Sequence, residues 1–421
     1  MCEGVKVNAE NNHPQPSGPM VGLRGIELGS TVAGPFCSRL LADFGAEVIK
    51  VEQVDGDVIR SFGHRRANRS LYNASIQRGK KIVAIDLHTE EGRSLVRSLC
   101  QGADVVVENF RAGSLERWGL GYEDLSKANP GLVLVRISGF GQDGPYCERG
   151  GYGVVCEAVS GLREITGDPD RPPPRIATSM ADYIAGLYGA FGAVMAIYER
   201  TKTGLGQVVD SALYEGSFSF MEPHIPAYQQ LGIIAERAGP LLPGTAPNSI
   251  YPTRDGHYIL ITAASNAVFE RLTVAMEKPG LLGEPRFASA QARAENQSAC
   301  DALVATWTAT IDLTDIEIIL VEAKVPAARI YSVEDIFNDP HYRAREMLVE
   351  VEDPVLGPVA VTGIVPKLSG SPGAIRWAGR DIGSDTNEIM QTELSLEAVE
   401  IERLAQEGII FSADLPAGDD G

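Results

Sequence analysis

The chain reads as an α/β protein built on a parallel sheet, and three observations lead there. Apolar runs of strand length alternate with amphipathic stretches of helix length from Leu23 to Gly141. Turn residues fall between them, as at Gly34-Pro35 and Gly45. Near residue 235 the pattern changes to a hairpin followed by helices, which marks a second, smaller α+β unit. Taken in order, LRGIEL (23–28) is a strand, FCSRLLADF (36–44) a helix with Gly45 as its C-cap, and AEVIKVE (46–52) a strand. KIVAIDL (81–87) and ADVVVENF (103–110) are strands on either side of the helix TEEGRSLVRSLCQ (89–101), and LVLVRISGFG (132–141) closes the run. Such alternation needs right-handed crossovers, and ligands then bind in the loops at the carboxyl ends of the strands.

Those loops are STVAGP, EQVDGD, ENFRAGS and SGFGQDGP. None is a GxGxxG or Walker motif, so the usual dinucleotide and nucleoside-triphosphate readings lose support. Next comes MADYIAGLYGAFGAVMAIYERTKTG, a helix whose stretch from Tyr183 to Glu199 is almost wholly apolar and is expected to be buried. Gly186, Gly189 and Gly192 recur every three residues and form a strip that another backbone can approach. Asp182 stands at the mouth of this helix; on the pattern alone it is either a helix cap or a catalytic carboxylate, and the cap is the simpler reading. Farther on, YPTRDGHYILITAA is a hairpin around Asp255-Gly256, followed by three helical segments. The expected organisation is a large domain over 20–224, a small domain over 235–330, and a linker with a C-terminal part over 331–421.

The net charge of −19 opposes binding to nucleic acid and to anionic membranes, so an anionic ligand needs a local basic pocket. No apolar run of membrane-spanning length is expected. The first twenty residues lack the apolar core of a signal peptide and read as a polar leader; ADLPAGDDG reads as a polar tail. The six cysteines form no CxxC pair, and the six histidines are scattered. Reduced thiols, no metal site and a cytoplasmic location are expected.

Several segments together resemble the family III CoA-transferases, the enzymes of the formyl-CoA transferase and carnitine/bile-acid CoA-transferase type, with the α-methylacyl-CoA racemases as relatives. They are AGPFCSRLLADFGAEVIKVE, GDVIR (56–60), GKKIVAIDL (79–87), DVVVENFRAGSLERWGL (104–120), RISGFGQDGPY, ADYIAGLYGAFGAVMAIYERTKTGLGQVVDSAL and VPAARIYSVEDIFNDPHYRAREML. Their order and spacing extend over about residues 20–411. The resemblance implies a large domain formed by both chain ends and two chains interlocked as a ring-like homodimer. It implies no tightly bound cofactor, with coenzyme A or an acyl-CoA as substrate and small carboxylic acids as partners. Succinyl-CoA is a common donor in the family.

The family's nucleophile is an Asp at the position of Asp182. Carried over by position, the CoA-binding set is Thr31, Val32 and Ala33, Lys80 or Lys81, Asn109 and Phe110, Ser114, Arg117 and Trp118, and Arg149. Tyr152 and Gly244 fall at substrate positions, Gly244 in a loop that is the candidate cover. The racemases pair a His with the Asp in an R-A-G-H-D segment; here the aligned segment is Arg149-Gly150-Gly151-Tyr152-Gly153, and Tyr is a poor base near neutral pH. That favours the transferase over the racemase. A non-catalytic CoA-binding subunit is the third alternative, and retention of Asp182 speaks against it.

Overall fold

The computed structural model describes residues 15–414. The polar leader and tail fall largely on residues outside that range. The chain divides into two compact units. The larger runs up to Leu162, over Ile176–Pro223 and from Arg343 onward; the smaller takes Arg163–Arg175 and His224–Tyr342. The smaller unit therefore exceeds the expected 235–330 at both ends and gains an excursion. The excursion is held locally: the Arg237 guanidinium donates to the carbonyls of Glu164 and Asp168, and the Gly239 N–H donates to the Gly167 carbonyl. Composition carries no trace of such long-range pairing.

The larger unit is a seven-stranded sheet between two helical layers. In chain order its strands are β1 (Arg24–Glu27), β2 (Glu47–Glu52), β3 (Lys80–Ile85), β4 (Val105–Glu108), β5 (Val133–Ser138), β6 (Val208–Ala212) and β7 (Ile410–Phe411). The spatial order is β7-β3-β2-β1-β4-β5-β6. All neighbours are parallel except β7, which the C-terminal end adds antiparallel to β3. Period-two alternation divides the side chains. Ile26, Ile49, Val83, Val106 and Leu134 face one core with the helix Glu90–Gln101 and the C-terminal helices. Val48, Val105, Val107, Val133 and Val135 face the other. The strand order reverses between β1 and β4, so the loops after these two strands flank the crevice where such sheets bind ligands.

Helix α1 (Ala33–Asp43) lies on the second face; α2 (Leu71–Ile76) precedes β3, α3 (Ser114–Arg117) follows β4, and α4 (Gly153–Val159) and α5 (Met180–Thr203) pack on the second face with α1. Helix α5 packs on α1 and on the sheet through its glycine strip. A Cβ at Gly186 would meet the Ala33 carbonyl oxygen at 2.7 Å, and one at Gly192 would meet Val209 at 2.5 Å. By length and composition α5 would pass as a membrane span, contrary to the expectation from the sequence. Its glycine and alanine face is nevertheless packed into the core of the larger unit. Burial along its whole length is also corrected: Leu187, Phe191, Met195 and Tyr198 are exposed, because α1 and the sheet cover only one side.

The smaller unit has its own core around Tyr251, Ile259, Phe269, Leu272 and Ile316. Strands Asn248–Pro252 and Tyr258–Thr262 form the hairpin expected at Asp255-Gly256, with Gly256 in the left-handed region, and Ala327–Arg329 joins as the third strand.

Candidate active site

Ser179 is the N-cap of α5 and makes no side-chain cap bond, so Asp182 lies three residues inside the helix and is not its N-cap. Its carboxylate is half-buried and, among the described residues, makes no ion pair. Burial pushes its pKa up to about 6, with only its own backbone N–H pulling the other way. The carboxylate rests against α4: a Cβ at Gly153 would stand 1.9 Å from Asp182 Oδ2. Cys156, one turn into α4, has its thiol pushed up to about 12 by burial and by the nearby Asp182 charge, so it stays protonated and does not compete as a nucleophile.

The loop after β1 is held from two sides. Asn109, just after β4, accepts the Ser30 N–H at 2.7 Å and donates to the Ser30 carbonyl at 2.9 Å. Thr31 is in the left-handed region at φ 70°, and its N–H points to both oxygens of Asp57. Left-handed backbone is costly for a β-branched residue and persists only where neighbours fix it. The fixing group is a buried charge network. The Lys50 ammonium lies 3.1 Å from Glu27 and 3.0 Å from Asp57 and also donates to the Gly29 carbonyl. Burial opposes ionisation of Glu27, but Lys50 and Lys80 outweigh it and hold the carboxyl below its ordinary value. Under the second loop, Glu108 accepts the Phe110 N–H at 2.7 Å and pairs with Arg136 at 2.8 Å.

The sequence-derived CoA set separates into three groups. Thr31, Val32 and Ala33 do lie together with Asn109 at the crevice. Val32 is buried among Ile59 and Ile76, and Ala33 is buried beneath α5, so both have their side chains committed to packing. Asn109 has its side chain committed to Ser30. Phe110 and Trp118 meet edge to face at 5.1 Å on the core surface; Ser114 accepts from Arg117, which is exposed, and the Arg149 guanidinium lies 3.5 Å over the Tyr146 ring. The two lysines are corrected. Lys80 is fully buried and donates to Glu27, the Pro35 carbonyl and Gln77, which leaves no donor for a phosphate. Lys81 sits at the start of β3, away from the carboxyl-end loops, between Glu47 at 3.1 Å and Glu388 at 2.9 Å. Tyr152 is the N-cap residue of α4, next to the Gly153 contact, and is 80% exposed. Gly244 belongs to the smaller unit, in a turn at φ 74° with open space where a Cβ would stand.

Two groups escaped the sequence. The Tyr72 and Tyr183 hydroxyls meet at 2.8 Å beside Phe36, and Tyr72 is held protonated by burial, by Tyr183 and by the Asp182 charge. Tyr183 adjoins Asp182 in the chain and could have been flagged; Tyr72, from α2, carries no local signal. Arg111 reaches toward Gly150, 3.7 Å from an ideal Cβ there, and is an exposed cation among the carboxyl-end loops. Among the described residues, no group of three or more His, Cys, Asp or Glu side chains is placed to hold a metal ion.

A half-buried carboxylate of raised pKa, in the unit whose β1 loop is fixed by Asn109 and Asp57, suits covalent acyl transfer. The family model described as CoA-transferase family III matches residues 20–386. The chain is 46% identical over 398 residues to the succinyl-CoA–D-citramalate CoA-transferase of Chloroflexus aurantiacus, covering 94% of this chain and 99% of that relative. It is 38% identical over 347 residues to the succinyl-CoA:mesaconate CoA-transferase of Haloarcula hispanica, covering 80% and 86%. A solved CaiB/BaiF family protein from Brucella suis superposes with a TM-score of 0.80 at 33% identity, covering 90% of this chain and 100% of that one. The protein belongs to CoA-transferase family III and is a CoA-transferase.

Proposed function

We propose that this CoA-transferase moves CoA from succinyl-CoA to a small dicarboxylic acid, with Asp182 as the covalent relay. The supporting observation is the Asp182 carboxylate itself, half-buried, with its pKa raised toward neutrality and with no ion pair among the described residues. An Asp182 oxygen attacks the thioester carbonyl; the C–S bond breaks and CoA leaves as thiolate. The thiolate attacks the Asp182 carbonyl carbon of the resulting anhydride, giving an aspartyl-CoA thioester and releasing succinate. The acceptor carboxylate then attacks that thioester and frees the thiolate, which takes the acceptor's acyl carbon and restores Asp182. The mixed anhydride is as activated as the thioester, so no step needs an outside energy source.

The acceptor class is supported by the names of the two relatives, which pair succinyl-CoA with D-citramalate and with mesaconate, both five-carbon dicarboxylic acids. A panel of such acids with succinyl-CoA, products identified by mass, tests it; transfer only to monocarboxylic acids would remove this acceptor class. The racemase alternative needs a His paired with the Asp, and at that position this chain has Tyr152, followed by Gly153, which has no side chain. CoA is read as substrate, bound at the β1 and β4 loops with Thr31, Phe110, Ser114, Arg117, Trp118 and Arg149 as the remaining contacts.

We also infer an interlocked homodimer in the cytoplasm. The exposed stripe of Leu187, Phe191, Met195 and Tyr198 on α5 supports an interface, because contiguous apolar surface of this kind is costly in water. Cys37, Cys100, Cys147, Cys156 and Cys300 are free thiols, in keeping with a reducing compartment. Light scattering of the pure chain is expected to give a two-chain mass; a one-chain mass would end the dimer reading.

A further inference from the structure

We infer that Gly153 is a positioning residue for the nucleophile: the missing side chain lets the Asp182 carboxylate press its Oδ2 edge against the first turn of α4. The inference rests on the reading of Asp182 as nucleophile and names what orients it. An ideal Cβ at Gly153 would stand 1.9 Å from Oδ2, 2.9 Å from Cγ and 3.4 Å from Oδ1 of Asp182, so Oδ2 and Cγ stand where a side chain on any other residue would clash. Conformation does not demand glycine there, because Gly153 is not among the residues with positive φ. Space is the reason.

The close approach is built from behind. Gly139, just past β5, and Gly151 cross backbone to backbone: a Cβ on Gly139 would meet Gly151 Cα at 2.6 Å, and one on Gly151 would meet Gly139 Cα at 2.7 Å. The Cys156 thiol donates to the Gly139 carbonyl at 3.3 Å and ties α4 to the same strand end. The start of α4 therefore cannot retreat, and an added methyl at 153 must displace the carboxylate. The three atoms it would meet all belong to one side-chain tip, so the cost falls on the aim of Asp182 and not on the fold. The other titratable groups that share its field, Cys156 and Tyr72, stay protonated.

The test is Gly153→Ala in the full-length chain, assayed with succinyl-CoA and an acceptor that supports native turnover. The expected result is a fall in kcat of about 100-fold, since a displacement of about 1 Å at a reacting group costs that much. KM for succinyl-CoA should stay within about threefold, because ground-state binding is left alone. Hydroxylamine trapping at Asp182 should fall with kcat. The acid limb of kcat/KM is expected near pH 6 in the native chain, where burial places the Asp182 pKa, and should move toward the ordinary carboxylate value of ~4 as the side chain swings out to water. A variant with native kcat and native pH profile overturns the inference, and so does one that fails to fold, because the contact touches no backbone. If the native chain itself yields no trapped aspartyl species during turnover, the nucleophile reading fails and takes this inference with it; trapping in both chains at equal yield sinks the inference alone.

Discussion

Replacing Asp182 with Asn is expected to lower kcat by about 10³-fold or more while leaving the protein folded and able to bind CoA. The carboxamide has the same shape and fits the same place against Gly153, but it offers no carboxylate to open the thioester. Hydroxylamine should then trap nothing at position 182. Stability should move the other way. Burial raises the Asp182 pKa to about 6, so above that pH the folded chain carries a charge that its surroundings disfavour. A folded pKa above the unfolded one stabilises at low pH, and that contribution is lost as pH rises through about 6. The Asn variant should therefore melt higher than the native chain at pH 8, with the gap closing toward ~pH 4, where both side chains are neutral. Native turnover in the variant would end the relay mechanism; equal melting shifts at both pH values would end the buried-charge argument. Greater stability with lost activity is the usual signature of a functional charge held in a poor solvent.

Lys50→Met should cost about 3–5 kcal/mol, the usual penalty for removing one partner of a buried ion pair. Lys50 is 1% exposed and sits between Glu27 and Asp57, which would be left facing each other without their common cation. Both carboxyls are held below their ordinary values in the native fold, against burial, by Lys50 among other groups. Depressed pKa values give stability that is present above the unfolded pKa and lost as pH falls through the folded one. The deficit of the Met variant should be full at pH 7 and narrow below ~pH 4. Urea unfolding at the two pH values measures it, and an unchanged midpoint at pH 7 would refute the network's role. Because Asp57 also holds the Thr31 N–H, any folded Met variant should bind CoA more weakly as well.

Much of the candidate site was legible in the chain. The strip Gly186, Gly189, Gly192 points to a close backbone approach; the structure places backbone, the Ala33 carbonyl, against Gly186, and side chains such as Val209 against the other two. The ENF segment points to Asn109 as a CoA contact; the residue sits at the crevice, but its amide is occupied by Ser30. Lys80 and Lys81 show the limit most clearly. Both are basic, adjacent and near a strand, which is all a sequence can report. One points inward to Glu27 and the other to Glu47 and Glu388 on the other face, because successive side chains on a strand face opposite ways, and neither lies at the carboxyl end.

What the sequence determined by itself is whatever depends on neighbours along the chain: strand and helix periods, the turn at Asp255-Gly256, the parallel α/β class, and the family segments around Asp182. What only the tertiary structure decided depends on pairs far apart. These are the strand order that puts the β1 and β4 loops at the crevice, the joining of Ile410–Phe411 to β3, the Glu27–Lys50–Asp57 network, and the Tyr72–Tyr183 contact. Local periodicity is set by backbone geometry within a few residues and survives in the string of letters. Partnership between distant side chains is set by sheet order and by which atoms close packing brings within bonding distance, and Gly153 acquires its meaning only once Asp182 lies against it.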